Sequence, residues 1–449
     1  MATPIDERGT GGLLDTLPLS SFQIWSVLMI AATVVLDGLD NQMLGLAAPS
    51  LIAQWGITRE ALGPVFALGF VGMGFGTLAA GAIGDRFGRR SAIIIGTALF
   101  GLATLLTGFA ASITQIALLK TLAGVGLGGL PGTAAALIAE LTPVRWRSIA
   151  VTFGMVCVSI GGILGGVAAA VVLPALGWRW LFWLGGAITL AFVLLLYWRL
   201  PESPRYLAER PERRAELAAM LRRIGHPDPG RHDLAGPEAP RAPHVPMRVL
   251  VGAALRRDTL ALSVAMFAGM FMIYLMFNWA PTLLFSAGFS LATASLGLTS
   301  FNVGGTVGAV LASIAMVRFG SRALLVAMAL VGFAVCAVLA ALPIAGARNE
   351  GALLAGLCAM GLFASATQSA MFAVGANAFP TVVRARGLGL MGAAGRVGAI
   401  VSAFSGAWLI GAGGAGFFGV LAALMLVNAA SLFAVRGHVD RVARPAPSC

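Results

Sequence analysis

The sequence predicts an all-α membrane protein of twelve transmembrane helices, arranged as two pseudo-symmetric six-helix halves. Three observations carry this prediction. First, the 449-residue chain is 58% hydrophobic and only 11% charged, with a mean hydropathy of +0.90; soluble domains carry about 25% charged residues. Second, its apolar residues fall into twelve runs. They cover about 23–48, 63–83, 91–110, 115–139, 148–173, 179–199, 259–286, 292–316, 323–344, 352–378, 387–410 and 414–435, long enough as helices to cross a hydrocarbon layer of about 30 Å. Third, the arginines in the loops of the first half recur at matching places in the second.

Residues 1–21 form a short tail of mixed charge that does not read as a cleavable signal. Run one carries Asp37-Gly38-Leu39-Asp40-Asn41 near its middle and no other charge. Two carboxylates there are costly, at about 2.5–3.5 kcal/mol each on insertion scales, and must face a bundle interior or a water-filled cavity. Spacing of three and four residues places Asp37, Asp40 and Asn41 on one helical face. The pattern points to a proton and substrate site; the alternative is a pair of acids that bond helices together.

After run two comes Gly81-Ala82-Ile83-Gly84-Asp85-Arg86-Phe87-Gly88-Arg89-Arg90, a tight turn. Asp85 there can accept from an arginine such as Arg89 or from a helix N-terminus, and a reorientation breaks such bonds, so a gate role is expected. Run four carries Lys120, the single lysine among 30 basic residues, in the pattern Lys-x-x-x-Gly-x-Gly-x-Gly. It either pairs with an acid on helix one, attracts an anionic substrate or snorkels to the interface. Glu140 ends that run, with Arg145 and Arg147 as candidate gate partners. Run seven carries Asn278-Trp279-Ala280-Pro281, and run ten carries Gln368; indole and amide groups beside aromatic rings suit an amphipathic aromatic ligand. Arg396 lies midway along run eleven, as a substrate-carboxylate clamp or a partner of Asp37 or Asp40.

The basic residues also orient the chain. Clusters follow runs two, four, six, eight, ten and twelve, and the opposite loops hold few. The positive-inside rule then places both termini in the cytoplasm. The net charge of +12 thus reports topology, and no nucleic-acid partner is expected. Asp85-Arg86-Phe87-Gly88-Arg89-Arg90 matches Val317-Arg318-Phe319-Gly320-Ser321-Arg322, and Arg145-Trp146-Arg147 matches Arg384-Ala385-Arg386. Corresponding loops share a side, so the repeat is parallel, with a midplane site between halves and rocking-type alternating access. The expected organisation is a cytoplasmic tail 1–21, a half 22–200, a cytoplasmic linker 201–257, a half 258–435 and a tail 436–449. Within the linker, Leu217, Met220, Leu221 and Ile224 predict a short amphipathic helix on the inner leaflet. Residues 226–246 are expected to be irregular. Cys157, Cys336, Cys358 and Cys449 show no metal or disulfide spacing. Nothing resembles a P-loop, a zincin helix or a nucleophile elbow, so neither an enzyme nor a cofactor is expected.

On these residues the chain resembles the major facilitator superfamily over nearly its whole length. The Gly81–Arg90 loop is specific for it, and Pro201-Glu202-Ser203-Pro204-Arg205-Tyr206-Leu207 is shared by its sugar, organic-cation and metabolite branches. The Asp37–Asp40 motif, Asn278–Thr282 and Gly395-Arg396-Val397-Gly398 look like the aromatic acid:proton symporter family. That resemblance implies import of benzoates or hydroxybenzoates with protons across the cytoplasmic membrane, by a monomer. It gives coupling to Asp37 and Asp40, gating to Asp85 and Glu140, and a substrate or pairing role to Arg396. The glycine motif usually opens with Arg where Lys120 stands, and Arg386 stands where Thr is common. The Gly-Pro signature of proton-antiport exporters is absent at Ile160-Gly161-Gly162, which favours import. The competing expectation is a symporter of a sugar, polyol or non-aromatic carboxylate, with export less favoured.

Overall fold

The computed structural model describes residues 18–225, 249–250, 252–253, 255–344, 349–380 and 382–439. Among these residues there is no strand, and twelve helical segments are long and apolar enough to cross a membrane, in the predicted order. The helices are α1 (Ser21–Trp55), α2 (Leu62–Phe87), α3 (Arg89–Thr107), α4 (Ile113–Leu127), α5 (Leu130–Leu141), α6 (Val144–Leu176) and α7 (Trp178–Arg199). Two short helices follow, α8 (Pro204–Ala208) and α9 (Arg214–Ile224). Then come α10 (Arg256–Ser286), α11 (Leu291–Phe319), α12 (Ser321–Ala341), α13 (Glu350–Ala378), α14 (Arg384–Gly411) and α15 (Gly413–Ala434). The tail 1–17, residues 226–248 and residues 440–449 lie outside the described residues.

The fourth span is broken, which its hydropathy did not predict. Pro131 lacks an N–H and cannot continue a helix without losing a bond, so α4 stops at Leu127 and α5 starts at Leu130. The Gly88 turn between α2 and α3 has φ +96°, and the matching Gly320 turn between α11 and α12 has φ +75°. Both values are unfavourable for residues with a Cβ, which is why glycine recurs at this point of the repeat.

The chain folds as two compact units. One comprises Met1–Asp40, Val71–Gly161 and Phe182–Arg241; the other comprises Asn41–Phe70, Gly162–Leu181 and Ala242–Cys449. In the first, α9 forms where the spacing predicts it, but its apolar face does not meet lipid. Leu217, Met220, Leu221 and Ile224 are buried in a protein core with Val27, Ile30, Leu196 and Leu207. Four apolar side chains find a solid partner there, and dense packing holds them.

Each six-helix pattern ends by capping its own third helix. In the first unit Glu202, just past α7, accepts the backbone N–H of Arg90 in the first turn of α3, at 3.0 Å. In the second, the chain past α15 supplies the Val439 carbonyl, which accepts the N–H of Ser321, the first residue of α12, at 2.9 Å. His438 secures that cap. Its Nε2 lies 2.9 Å from the Leu432 carbonyl, and its Nδ1 lies 2.9 Å from Ser321 Oγ. That oxygen also accepts the Val439 N–H at 2.8 Å. A carbonyl only accepts, so the neutral ring carries its proton on Nε2 and takes the serine proton at Nδ1.

Burial pushes the His438 imidazole below its ordinary value; Arg322 adds to this, while the Leu432 carbonyl and Asp258 oppose it. A lowered histidine stabilises the cap above the unfolded value of about 6.5 and loses that contribution as pH falls through the folded value. Hydrogen exchange at the Ser321 and Val439 amides, corrected for intrinsic rate, should therefore rise as pH falls through that range. His438→Gln should flatten the dependence. Equal wild-type protection on both sides of the range would separate the cap from the histidine's charge.

Candidate functional site

The acid motif of α1 is built by a glycine. A Cβ at Gly38 would collide with the Val158 carbonyl of α6, and one at Gly161 would collide with the Val35 carbonyl of α1. The two backbones therefore touch on that face, and only residues without a side chain allow it. Asp40 points elsewhere. It is 3% exposed and accepts a hydrogen bond from Thr104 Oγ1 of α3. Lys120 Nζ of α4 lies 3.0 Å from its Oδ2 and 3.1 Å from its backbone carbonyl. Asp37, also 3% exposed, lies one turn earlier. It has no hydrogen-bond partner among the described residues, and the charges of Asp40 and Lys120 both reach it. One buried carboxylate is thus neutralised by a lysine, and its neighbour is not.

Sequence reasoning missed Thr104. A threonine in an apolar helix ordinarily donates to its own helix, as Thr97 does to the Ile93 carbonyl and Thr107 to that of Ala103. Thr104 differs only in what lies opposite it, which one-dimensional pattern does not report.

The second unit holds the remaining substrate-binding candidates. Asn41 is half-buried on α1. Trp279 of α10 is fully buried, its ring 5.3 Å from that of Phe66 at 68°, and it lies against Gly406, where any Cβ would strike the indole. Nε1 of Trp279, Nδ2 of Asn278 and Oγ1 of Thr282 are buried with no hydrogen-bond partner among the described residues. Unpaired buried donors are costly, so this cluster has capacity for a polar ligand group. Phe70, Tyr274 and Phe277 continue the aromatic surface, with centroids 4.6 Å and 5.8 Å apart in succession. Gln368 of α13 packs at Gly269 of α10 beside Asn428 and donates to Met266 Sδ at 2.9 Å. Arg396 is half-buried on α14. A further polar pair was not foreseen. Gln42 and Asn302 exchange two amide hydrogen bonds, at 3.1 Å and 2.8 Å, and Gly162 leaves room for them.

The gating candidates separate. Asp85 is 75% exposed on its side chain and pairs with Arg89 at 2.7 Å, a local bond one turn along the chain. The expected partners of Glu140 do not reach it. Among the described residues no ion pair joins Glu140 to Arg145 or Arg147; Oε2 of Glu140 and Nε of Arg147 are each buried without a hydrogen bond. Arg145 is exposed and lies over the Trp146 ring. α5 ends at Leu141 and α6 starts at Val144, so Pro143 breaks the helix between acid and arginines and their side chains do not share one face.

Glu202, not Asp85, accepts from the N-terminus of α3. Its Oε1 accepts from the N–H of Arg90 at 3.0 Å and of Ser203 at 2.9 Å, and its carboxylate fills the space a Cβ at Gly88 would need. Burial pushes this carboxyl up, opposed by those two hydrogen bonds and by Arg213 and Arg90. Glu202→Ala should cost about 1–3 kcal/mol of stability, because it leaves buried N–H groups unpaired. Glu202→Gln should cost less, since its amide oxygen still accepts. Thermal unfolding of the two variants checks the order, and equal losses would assign the effect to packing.

A family model described as Major Facilitator Superfamily matches residues 30–300 and 262–448. A gallate transporter of Pseudomonas putida is 34% identical, over 99% of this chain and 97% of that protein. A 4-hydroxybenzoate transporter of Pseudomonas aeruginosa is 36% identical, over 96% of each chain. Among solved structures, the inward open conformation of the xylose transporter of E. coli superposes with a TM-score of 0.73 at 19% identity, covering 93% of this chain and 97% of that one. The twelve-helix fold, its repeated glycine turns and these matches identify the chain as a member of the major facilitator superfamily, a family of membrane transporters and not of enzymes.

Proposed function

We propose that this chain is a proton-coupled symporter that imports a small aromatic carboxylate, such as a hydroxybenzoate or benzoate, by alternating access. The observation that carries the reading is the buried acid pair of α1, one member paired with Lys120 and the other without a hydrogen bond among the described residues. Fully ionised, Asp37, Asp40 and Glu140 outnumber Lys120 and Arg396 by one charge. An anionic substrate deepens the deficit. Uncompensated buried charge is costly, and carboxylates relieve it by taking up protons. Substrate and proton then favour each other's binding, and linkage makes the effect reciprocal. The names of the two relatives above support an aromatic acid as cargo.

In this reading Asp37 and Asp40 couple the proton. Asp40, Asn41, Lys120, Asn278, Trp279, Gln368 and Arg396 bind substrate, with Trp279 and its neighbours taking the ring. Asp85, Arg89, Glu140 and Arg145 gate. The halves 22–200 and 258–435 rock about the site as a monomer in the inner membrane. Both termini and the linker 201–257 are cytoplasmic. Uptake of labelled 4-hydroxybenzoate into proteoliposomes, with and without an inward proton gradient, tests this. Gradient-driven accumulation that benzoates compete away and xylose does not is the expected result. Accumulation of a sugar with no response to aromatic acids would sink the proposal.

A further inference from the structure

At one end of α7 the first unit contains a crevice of about 270 Å³, lined by Phe22, Arg90, Trp198, Arg199, Glu202, Glu216 and Arg223 among others. Three arginines face two carboxylates there. Glu216 is already paired with Arg213 at 2.7 Å, and Glu202 is engaged by two backbone N–H groups. Arg90 lies in the field of the Glu202 carboxylate, and the other two arginines have no such partner. Arg199 and Arg223 make no ion pair with any described residue; Arg223 lies only over the Phe22 ring, at 5.8 Å. Arg90 donates to the Tyr197 carbonyl, but its Nε is buried with no acceptor. The crevice therefore carries unspent positive charge.

An apolar track runs into it. Trp198 lines the crevice and is 74% exposed, and Leu194 and Leu195, one turn back on α7, are also exposed. Spacing of three and four residues puts these side chains on one face of the helix. An aromatic ring between a charged end and an apolar stripe is the arrangement found at the level of lipid headgroups. A soluble phosphate would use the arginines and leave the stripe bare; a phospholipid uses both.

We infer that this crevice holds the phosphate of one anionic phospholipid, with Arg199 and Arg223 as its charge partners, Arg90 behind them, and an acyl chain along Trp198, Leu194 and Leu195. The lipid ties α9 to the end of α7 and to the first turn of α3. This inference rests on the cytoplasmic placement of the linker for its leaflet only. Its test reads lipid retention and so does not depend on transport or on the aromatic substrate.

Native mass spectrometry of the purified full chain, titrated with phosphatidylglycerol or phosphatidylcholine, is the experiment. One retained phosphatidylglycerol per chain is expected, at concentrations where phosphatidylcholine is not retained. Arg199→Gln with Arg223→Gln should weaken retention about tenfold or more, from the loss of two surface charges near the headgroup. Trp198→Ala should weaken it through the acyl track. Arg318→Gln, an exposed arginine outside the crevice, should leave it unchanged. Inorganic phosphate should not displace the lipid. Equal retention of the two lipids, equal retention by wild type and the double variant, an equal loss in the Arg318→Gln control, or displacement by inorganic phosphate would each overturn the proposal. If the double variant does not fold, Trp198→Ala and the phosphate competition still decide it.

Discussion

Asp37→Asn and Asp40→Asn are each expected to reduce accumulation driven by a proton gradient to the level of empty liposomes. They should differ in what survives. Asp37 has no hydrogen bond to lose among the described residues, and a neutral amide mimics the protonated acid. Asp37→Asn should therefore still bind substrate and exchange it in counterflow. Asp40→Asn also removes the partner of Lys120 and the acceptor of Thr104, so it should lose stability as well as coupling. Uptake, counterflow and thermal unfolding of the two variants separate these effects. Counterflow lost in Asp37→Asn, with binding intact, would give Asp37 a part in reorientation beyond carrying the proton.

Lys120→Met is expected to be the most destabilising of the site substitutions. The lysine and Asp40 side chains are 12% and 4% exposed. Removing one member of a buried pair typically costs about 3–5 kcal/mol, because the other charge stays buried. The diagnostic is the cycle with Asp40→Asn. If the loss comes from the stranded carboxylate, then Lys120→Met with Asp40→Asn should be more stable than Lys120→Met alone. Contacting pairs show such coupling, and distant ones add. Strict additivity of the two losses would mean that the ion pair contributes little and that Lys120 acts through its stem.

Much of the fold was legible because the bilayer imposes it. A span must be long and apolar, so twelve runs give twelve helices. The repeated loop was legible as a tight turn, but the need for glycine at Gly88 and Gly320 shows only in their φ values of +96° and +75°. Less legible was anything decided by the opposite wall. The Lys120–Asp40 pairing was one of several partners open to that lysine, and Thr104 carried no signal at all. Gln42 and Asn302 are 260 residues apart, and each alone reads as ordinary helix glue. The face of α9 was periodic, but periodicity states that an apolar face is covered, not by what. Protein covers it here. Glu140 shows another limit: proximity in sequence to Arg145 and Arg147 suggested an ion pair that is absent among the described residues, with the helix broken at Pro143 between them.

The central claim is that proton and anion favour each other's binding through Asp37 and Asp40. Equilibrium binding of 4-hydroxybenzoate to the purified wild-type protein across a pH series tests it most directly, with the Asp37→Asn, Asp40→Asn double variant measured beside it. Wild-type affinity is predicted to rise as pH falls, because proton and anion favour each other's binding. The double variant should bind with little pH dependence and should not concentrate substrate under a proton gradient. Wild-type affinity that is flat with pH, together with a double variant that still concentrates substrate, would contradict the claim and make the acid pair structural.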